Sequence, residues 1–170
     1  MSGSSETSRV KSLFERYCKG YGLDIGAGGD KIVSHAISVD LPRPYTKVGE
    51  DPVQLGGDAR NLMWFTSETL DFVYSSHLLE DFPESETVLI MLEWLRVIKK
   101  GGYFCLYLPD QQLYLAHCKK DNTLPNQAHK NDNFSSDFIK RCANQIGLGA
   151  PILDTGIINS YSFGLVWKVR

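Results

Sequence analysis

The chain has 170 residues and a net charge of −2, and hydrophobic residues make up 42% of it. This length fits one domain with an ordinary core, and the composition excludes a wholly disordered chain. Because no block of basic residues stands out, nucleic acid is not expected as a substrate.

The cysteines and the start of the chain indicate the compartment. The four cysteines form no CxxC pair, so neither a zinc site nor a disulfide framework is expected, and a cytoplasmic location is the simplest. Residues 1–7 are polar, unlike a signal peptide, and are expected to be flexible. No apolar run is long enough for a membrane span.

The N-terminal half is predicted to contain one helix and four strands. Apolar residues at positions 10, 13, 14 and 17 have the spacing of a helical face. The three prolines within residues 41–52 leave a loop with at most one helical turn between the second and third strands. The strands are predicted at residues 21–25, 36–39, 53–55 and 70–74.

The clearest predicted helix covers residues 85–100. Ser85 can cap its start, and Lys99-Lys100-Gly101 is a strong stop signal. Its apolar stripe is predicted to consist of Leu89, Leu92, Leu95 and Ile98.

The rest of the chain is predicted to add three strands and one helix. A strand at 103–108 precedes a polar segment, 111–133, that has little periodicity. The next helix is capped by Ser135 or Ser136 and ends at Gly147. Two strands, 151–157 and 162–169, close the chain as a hairpin. The inner face of the last helix is predicted to be Phe138, Ile139, Cys142 and Ile146.

This order of elements predicts an α/β fold. Near-continuous apolar strands that alternate with helices indicate a mostly parallel sheet covered on both faces. We therefore expect a single domain over residues 1–170, a Rossmann-like three-layer sandwich with a seven-stranded sheet. The terminal hairpin supplies one antiparallel strand, and the helix after the second strand is reduced.

Carboxylates follow three of the predicted strands. Ligands of open parallel sheets bind beyond the carboxyl ends of the strands, where Asp24 with a glycine loop, Asp40 and Asp58 are placed. Asp40 suits the two hydroxyls of a ribose, since a carboxylate has two acceptor oxygens. Asp58 can accept from the exocyclic amine of an adenine. Lys31 occupies the third glycine position of a dinucleotide-binding fingerprint, which disfavours an NAD-dependent oxidoreductase.

Four segments resemble the motifs of class I S-adenosylmethionine (SAM)-dependent methyltransferases, in particular the type 11 methyltransferase domains. They are residues 23–30 (Leu-Asp-Ile-Gly-Ala-Gly-Gly-Asp), 57–62, 70–82 and 92–103, and together they extend over about residues 20–110. All four segments occur in the order and with the spacing of the family, which makes the resemblance more specific than one matching segment would. One departure is Asp30, which replaces the last glycine of the family's GxGxG run.

The resemblance implies SAM as cofactor, with S-adenosylhomocysteine (SAH) as product, and it implies roles for individual residues. The first strand and its loop would hold the methionine end, the second strand the ribose, the third the adenine, and the fourth the sulfonium side. The implied cofactor-binding residues are Asp24, Gly26, Ala27, Gly28, Asp40, Leu41, Asp58, Ala59, Ser75 and Ser76.

His77 and His129 are the candidate general bases. His77 comes just past the fourth strand, where the methyl group should point, and His129 lies in the segment that forms the acceptor lid in related small-molecule and sugar methyltransferases. Either histidine can instead be structural. His117 is a weaker candidate, and Asp110 can equally cap a turn.

The adjacent carboxylates Glu80 and Asp81 are a potential metal pair, but a solvated helix end or loop explains them as well, and no metal site is predicted.

The leading hypothesis is a SAM-dependent methyltransferase that acts on a small polar acceptor, with a sugar or glycan hydroxyl as the example. Acceptor contacts would come from residues 1–20, 41–52 and 110–135, or from a second subunit, which leaves a homodimer open. The alternative is an inactive methyltransferase-like binding module or partner subunit. Asp24, Asp40 and Asp58 argue against that alternative, since an inactive domain needs no such set of ligand acids.

Overall fold

The computed structural model describes residues 5–44 and 49–170, in which seven strands form one sheet. The strand order is β3-β2-β1-β4-β5-β7-β6. Strand β7 is antiparallel to both of its neighbours, and the other pairs are parallel, which confirms the predicted fold class. The strands are β1 Gly22–Ile25, β2 Ile37–Asp40, β3 Leu55–Gly56, β4 Leu70–Ser76, β5 Ile98–Pro109, β6 Leu153–Ile158 and β7 Ser162–Lys168.

Helices cover the two faces of this sheet. Alternate residues of β4 point to opposite faces, so that Phe72 packs in one core cluster and Val73 in the other. The cluster around Phe72 includes Val10 and Phe14 from the N-terminal helix. The described α-helices are α1 Lys11–Phe14, α2 Thr87–Arg96, α3 Gln111–Asp121 and α4 Ser136–Gln145.

The buried face of α2 differs from the predicted stripe. Leu89 is 67% exposed and Leu92 is 44% exposed, so the prediction is wrong for both. The run from Val88 to Leu92 is entirely apolar and offers more than one stripe of helical spacing. The face that packs against the sheet carries the bulkiest side chain of the helix, and it consists of Thr87, Ile90, Met91 and Trp94.

The ends of α2 also differ from the prediction. The helix stops at Arg96, because the chain enters β5 at Ile98 before it reaches the expected stop signal. Ser85 lies in a 3₁₀ turn, Glu84–Glu86, and Glu86 occupies the N-cap position without a side-chain hydrogen bond.

The polar segment after β5 begins with a helix that the sequence did not indicate. Asp110 caps α3 by accepting from the Leu113 N–H at 3.1 Å, and Asn122 ends it with a left-handed φ of 53°. Within α3 only Gln111 and Cys118 are buried. Without an apolar face, no hydrophobic period was available to reveal the helix.

The C-terminal part agrees with the prediction. Ser135 caps α4 by accepting from the Phe138 N–H at 3.2 Å, and the predicted inner residues Phe138, Ile139 and Cys142 are buried. Asn159 and Ser160 both have positive φ in the three-residue connection, 159–161, between β6 and β7.

Two expectations fall partly outside the described residues. The flexibility expected of residues 1–7 stays a prediction. Ser5 donates to Asp30 and Thr7 is buried, and residues 1–4 are not described. Residues 41–44 and 49–54 contain no helix, as expected for the loop between β2 and β3, and residues 45–48 are not described.

The four cysteines are free and buried. None of the helices in the described part of the chain combines the length and the apolar character that a bilayer crossing requires.

Candidate cofactor site

A cavity of about 360 Å³ lies beyond the carboxyl ends of β1, β2 and β3. Parallel strands bring their carboxyl ends to one edge, where backbone groups and loop side chains are available to a ligand. Five of the ten predicted cofactor residues line the cavity, namely Gly26, Asp40, Leu41, Asp58 and Ala59. The other five, which are Asp24, Ala27, Gly28, Ser75 and Ser76, are not among its lining residues.

The glycine loop forms one wall. Gly26 has a φ of 77°, and a Cβ atom there would lie 2.9 Å from a methyl carbon of Leu78. Only glycine suits this combination of backbone conformation and close approach. The loop therefore brings its backbone directly to the cavity.

Asp40 is anchored between this loop and the end of β2. Its carboxylate accepts from the Gly28 N–H at 2.8 Å and from the Leu41 N–H at 2.7 Å. Two ionised oxygens offer about four acceptor positions, so positions remain for the hydroxyls of a ribose. Leu41 lines the same wall with a 46% exposed side chain, which provides an apolar surface.

Asp58 is already paired with a cation. The Arg60 guanidinium donates to both of its carboxylate oxygens, with Nη2 at 2.6 Å from Oδ2, and these hydrogen bonds lower the pKa of Asp58. Arg60 also contacts Glu86 at 3.3 Å. The role of Asp58 at the adenine stays a prediction. An adenine amine bound there would share the Asp58 carboxylate with Arg60.

Asp24 stabilises the loop from inside the core. It is 1% exposed, and its Oδ2 accepts from the Ile32 N–H at 2.6 Å. Burial raises the pKa of Asp24 to about 7. Its influence on a ligand would thus pass through the loop.

Replacing Asp24 with asparagine should change how stability depends on pH. The raised pKa means that the native state binds a proton more tightly than the unfolded chain, whose pKa is near 3.8. The contribution of Asp24 to the free energy of unfolding therefore falls by on the order of a few kcal/mol as the pH rises from about 4 to 7. Urea denaturation across this range should show the loss in the wild type and in the exposed control Asp137→Asn, but not in Asp24→Asn. Parallel pH profiles of all three proteins would contradict the raised pKa.

Ser75 and Ser76 are the last two residues of β4. Ser75 is fully buried, and its hydroxyl donates to the Ile25 carbonyl at 2.9 Å, which joins β4 to β1. Ser76 is 8% exposed. A direct cofactor contact by either serine remains a prediction.

Asp30, the departure from the family's glycine pattern, anchors the N-terminal segment. Its carboxylate accepts from the hydroxyls of Ser5 and Ser8 and from the ammonium of Lys11. These interactions lower the pKa of Asp30, although partial burial opposes them. The acid thus joins the glycine loop to the segment that leads into α1.

Both candidate histidines lie next to Glu80. His77, with a left-handed φ of 49°, places Nδ1 3.8 Å from Glu80 Oε1, and Nε2 of His129 is also 3.8 Å from that oxygen. Nε2 of His77 is 3.0 Å from the Ser162 hydroxyl. Burial lowers the pKa of His77 to about 3 and also lowers the pKa of His129. Both imidazoles are therefore neutral at pH 7.

The interpretation of Glu80 as a solvated residue is wrong. Its side chain is 0% exposed, because the turn after β4 points it inward beneath the segment that carries His129. Lys130 donates its backbone N–H to the Glu80 carbonyl at 3.0 Å and so holds that segment in place. Asp81, the second acid of the pair, lines the cavity.

The two weaker candidates, Asp110 and His117, make contacts within their own helix. Asp110 is the cap of α3, as its alternative interpretation predicted. His117 pairs with Asp121 at 3.4 Å.

Sequence reasoning missed several lining residues. Arg60 directly follows Asp58 and Ala59, the two residues predicted to border the adenine, and this proximity in the sequence was the available signal that it lines the same cavity. Lys130 and Ala128 line the cavity from the segment before α4, and nothing in their spacing marked them. The full set of missed lining residues is Val39, Gly57, Arg60, Leu78, Asp81, Phe82, Ala128 and Lys130.

Comparison with known proteins agrees with this architecture. Residues 2–106 match the model of a family described as a methyltransferase domain. No curated protein sequence matches the chain.

Solved structures share the fold at low sequence identity. A protein from Pyrococcus horikoshii OT3 is similar with a TM-score of 0.72 and 18% identity, over 95% of this chain and 88% of that one. A SAM-dependent methyltransferase from Archaeoglobus fulgidus gives 0.68 and 15%, over 95% and 94%. Magnesium protoporphyrin IX methyltransferase from Synechocystis PCC 6803, solved with bound SAH, gives 0.61 and 15%, over 96% and 82%.

Proposed function

The chain belongs to the methyltransferase domain family of SAM-dependent enzymes, and we propose that it methylates a hydroxyl of a small polar acceptor such as a sugar. The observation that carries the proposal is the anchored carboxylate of Asp40 at the glycine loop, in a cavity that is also lined by Asp81 and Ala128, the sequence neighbours of Glu80 and His129. A cavity of about 360 Å³ is within the size range of small-molecule sites, which suits the cofactor.

The cavity fits the two ends of SAM. Asp40 offers acceptor oxygens to the ribose, Leu41 and Ala59 offer apolar surface to the adenine, and the backbone at Gly26 lies open to the methionine end. SAM, when bound, supplies a methyl group on a sulfonium that is a good leaving group. The protein has mainly to align the acceptor oxygen with that methyl group, which is catalysis by proximity and orientation.

A hydroxyl acceptor also benefits from a group that takes its proton. His129 is prepared for this task, because its Nδ1–H donates to the Gln111 side-chain oxygen at 2.7 Å and leaves a lone pair on Nε2. His77, whose Nδ1 is 3.8 Å from the same Glu80 oxygen, is the second candidate for this task.

Replacing either histidine with alanine should separate binding from turnover. His77→Ala and His129→Ala are expected to leave the SAM affinity within about twofold while they lower kcat by about 10²–10⁴-fold if each takes part in proton transfer. Calorimetry gives the affinity, and a methyl-transfer assay with a polar acceptor gives kcat. Full activity in both variants would exclude both histidines as bases.

The proposed function is tested by titrating the purified protein with SAM and SAH, with NAD as the control. Micromolar binding of both sulfur compounds without NAD binding is expected. A folded protein that binds neither would contradict the proposal and favour the inactive binding module.

We also propose a cellular location and the kinds of partner. A cytoplasmic location is supported by the four free cysteines. We propose no nucleic-acid partner, since the net charge is −2. Formation of a homodimer stays a prediction, which light scattering can test.

A further inference from the structure

Glu80 is a buried carboxylate that needs a partner. Its side chain is 0% exposed, and no other residue in 5–44 or 49–170 hydrogen-bonds either of its oxygens. A buried carboxyl without a protein partner is costly, and a bound ion is one arrangement that offsets this cost.

His129 presents a lone pair to this carboxylate. Its Nδ1–H is used by the buried Gln111 oxygen at 2.7 Å, so Nε2 faces Glu80 Oε1 as an acceptor at 3.8 Å. This separation is too long for a hydrogen bond. It fits two ligands of one metal ion, since ligand atoms that lie ~2.1 Å from a shared ion are at most ~4.2 Å apart.

Asp81 completes a set of three ligands. Ligand atoms of Glu80, Asp81 and His129 all lie within 4.8 Å of one another, so that side-chain shifts of about half an ångström would bring all three within reach of one ion. Asp81 also lines the cofactor cavity, which gives the cluster access from that side. His77 Nδ1, 3.8 Å from the same Glu80 oxygen, is a fourth potential donor.

We propose that Glu80, Asp81 and His129 bind one divalent first-row metal ion at the wall of the cofactor cavity. Two carboxylates and an imidazole are a mixed oxygen and nitrogen donor set, which suits Mn²⁺ or Zn²⁺ better than Ca²⁺. Three protein ligands leave coordination positions open, as in catalytic metal sites. Gln111 is a positioning residue, because its hydrogen bond fixes the tautomer and the orientation of His129.

The open positions give the ion a role at the acceptor. Because the site borders the cavity through Asp81, hydroxyl oxygens of a polar acceptor can occupy these positions and be held beside the methyl donor. In the metal-loaded protein Nε2 of His129 is a ligand and cannot also take the acceptor's proton, so the ion would lower the pKa of the bound hydroxyl and the proton would pass to solvent. This second part rests on the proposed function, whereas binding of the ion does not depend on it.

The experiment measures metal binding without turnover. Chelator-treated protein is titrated with Mn²⁺ by electron paramagnetic resonance and, separately, with Zn²⁺ by equilibrium dialysis. Saturation at one ion per chain is expected for at least one of the two metals. Glu80→Gln should bind at least about tenfold more weakly, and Gln111→Ala about 10–100-fold more weakly.

The control is Glu84→Gln, which removes the same charge from an exposed acid four residues further along. It should bind the ion as the wild type does. The metal should also raise the Tm of the wild type and of Glu84→Gln, but not that of Glu80→Gln. Glu80→Gln preserves the shape of the side chain, and its metal-free Tm verifies that it folds.

Saturation by neither metal, or equal affinity in Glu80→Gln and the wild type, would overturn the proposed site. SAM affinity measured in the presence of chelator separates this outcome from a failure of the proposed function. Metal binding without SAM binding would support the metal site and contradict the proposed function. SAM binding without metal binding would support the function and contradict the metal site.

Discussion

Asp40→Ala is expected to weaken SAM binding by at least about tenfold. The carboxylate can give the ribose two charge-assisted hydrogen bonds, each worth about 1.5–3 kcal/mol, so even partial loss of the pair exceeds the 1.4 kcal/mol that corresponds to a factor of ten. The same substitution frees the N–H groups of Gly28 and Leu41, which Asp40 now holds at 2.8 and 2.7 Å. Calorimetric titration of the folded variant with SAM and SAH measures the effect.

Two further variants identify the cause of this loss. Asp40→Asn keeps the shape and one acceptor oxygen, so its affinity should fall between those of the wild type and Asp40→Ala. Asp137→Ala removes the same charge from a side chain that is 84% exposed on α4, and its affinity should not change. If Asp40→Ala binds SAM as tightly as the wild type, the assignment of Asp40 to the ribose fails.

The sheet and its edge acids were predictable because the signals are local. Short apolar runs followed by glycine or aspartate mark where a buried strand ends, and parallel pairing then brings those ends together. Asp40 and Asp58 could therefore be assigned to one edge before any contact was known. The pairing of Asp58 with Arg60 is a matter of side-chain geometry, which spacing alone does not define.

The site around Glu80 was not predictable in the same way. Glu80 and His129 lie far apart in the sequence, and they meet because the segment before α4 folds back over the turn after β4. Two adjacent acids that follow a strand resemble a solvated loop until tertiary packing buries one of them. The helix α3, which positions Gln111, was missed as well, because its polar sequence has no apolar face.

Asp30 shows how a departure from a family pattern can be compensated locally. A glycine in that place gives a loop freedom, whereas the carboxylate holds Ser5, Ser8 and Lys11. Sequence reasoning could identify the substitution but not these partners, because they belong to an N-terminal segment that was expected to be flexible.

Trp94→Ala is expected to lower the free energy of unfolding by about 3–5 kcal/mol, the range for removing a large aromatic side chain from a core. Trp94 is 0% exposed and packs edge-on against Phe104 at 6.3 Å between ring centroids. Its indole N–H also donates to the Ala59 carbonyl at 2.7 Å, which links α2 to residues 57–62, the segment predicted to border the adenine. Urea denaturation measures the loss of stability, and calorimetry with SAM should show weaker binding as the segment loosens.

The comparison with Leu89→Ala makes this prediction a test of which face of α2 is buried. Leu89 belongs to the stripe that sequence periodicity favoured, yet it is 67% exposed, so its replacement should change stability by no more than about 0.5 kcal/mol. Trp94→Phe keeps most of the packing but removes the hydrogen bond to Ala59. Its loss of stability should lie between those of Leu89→Ala and Trp94→Ala. Equal losses for Trp94→Ala and Leu89→Ala would mean that α2 is rotated from the observed orientation. The link from the core to the adenine segment would then have to run through another residue.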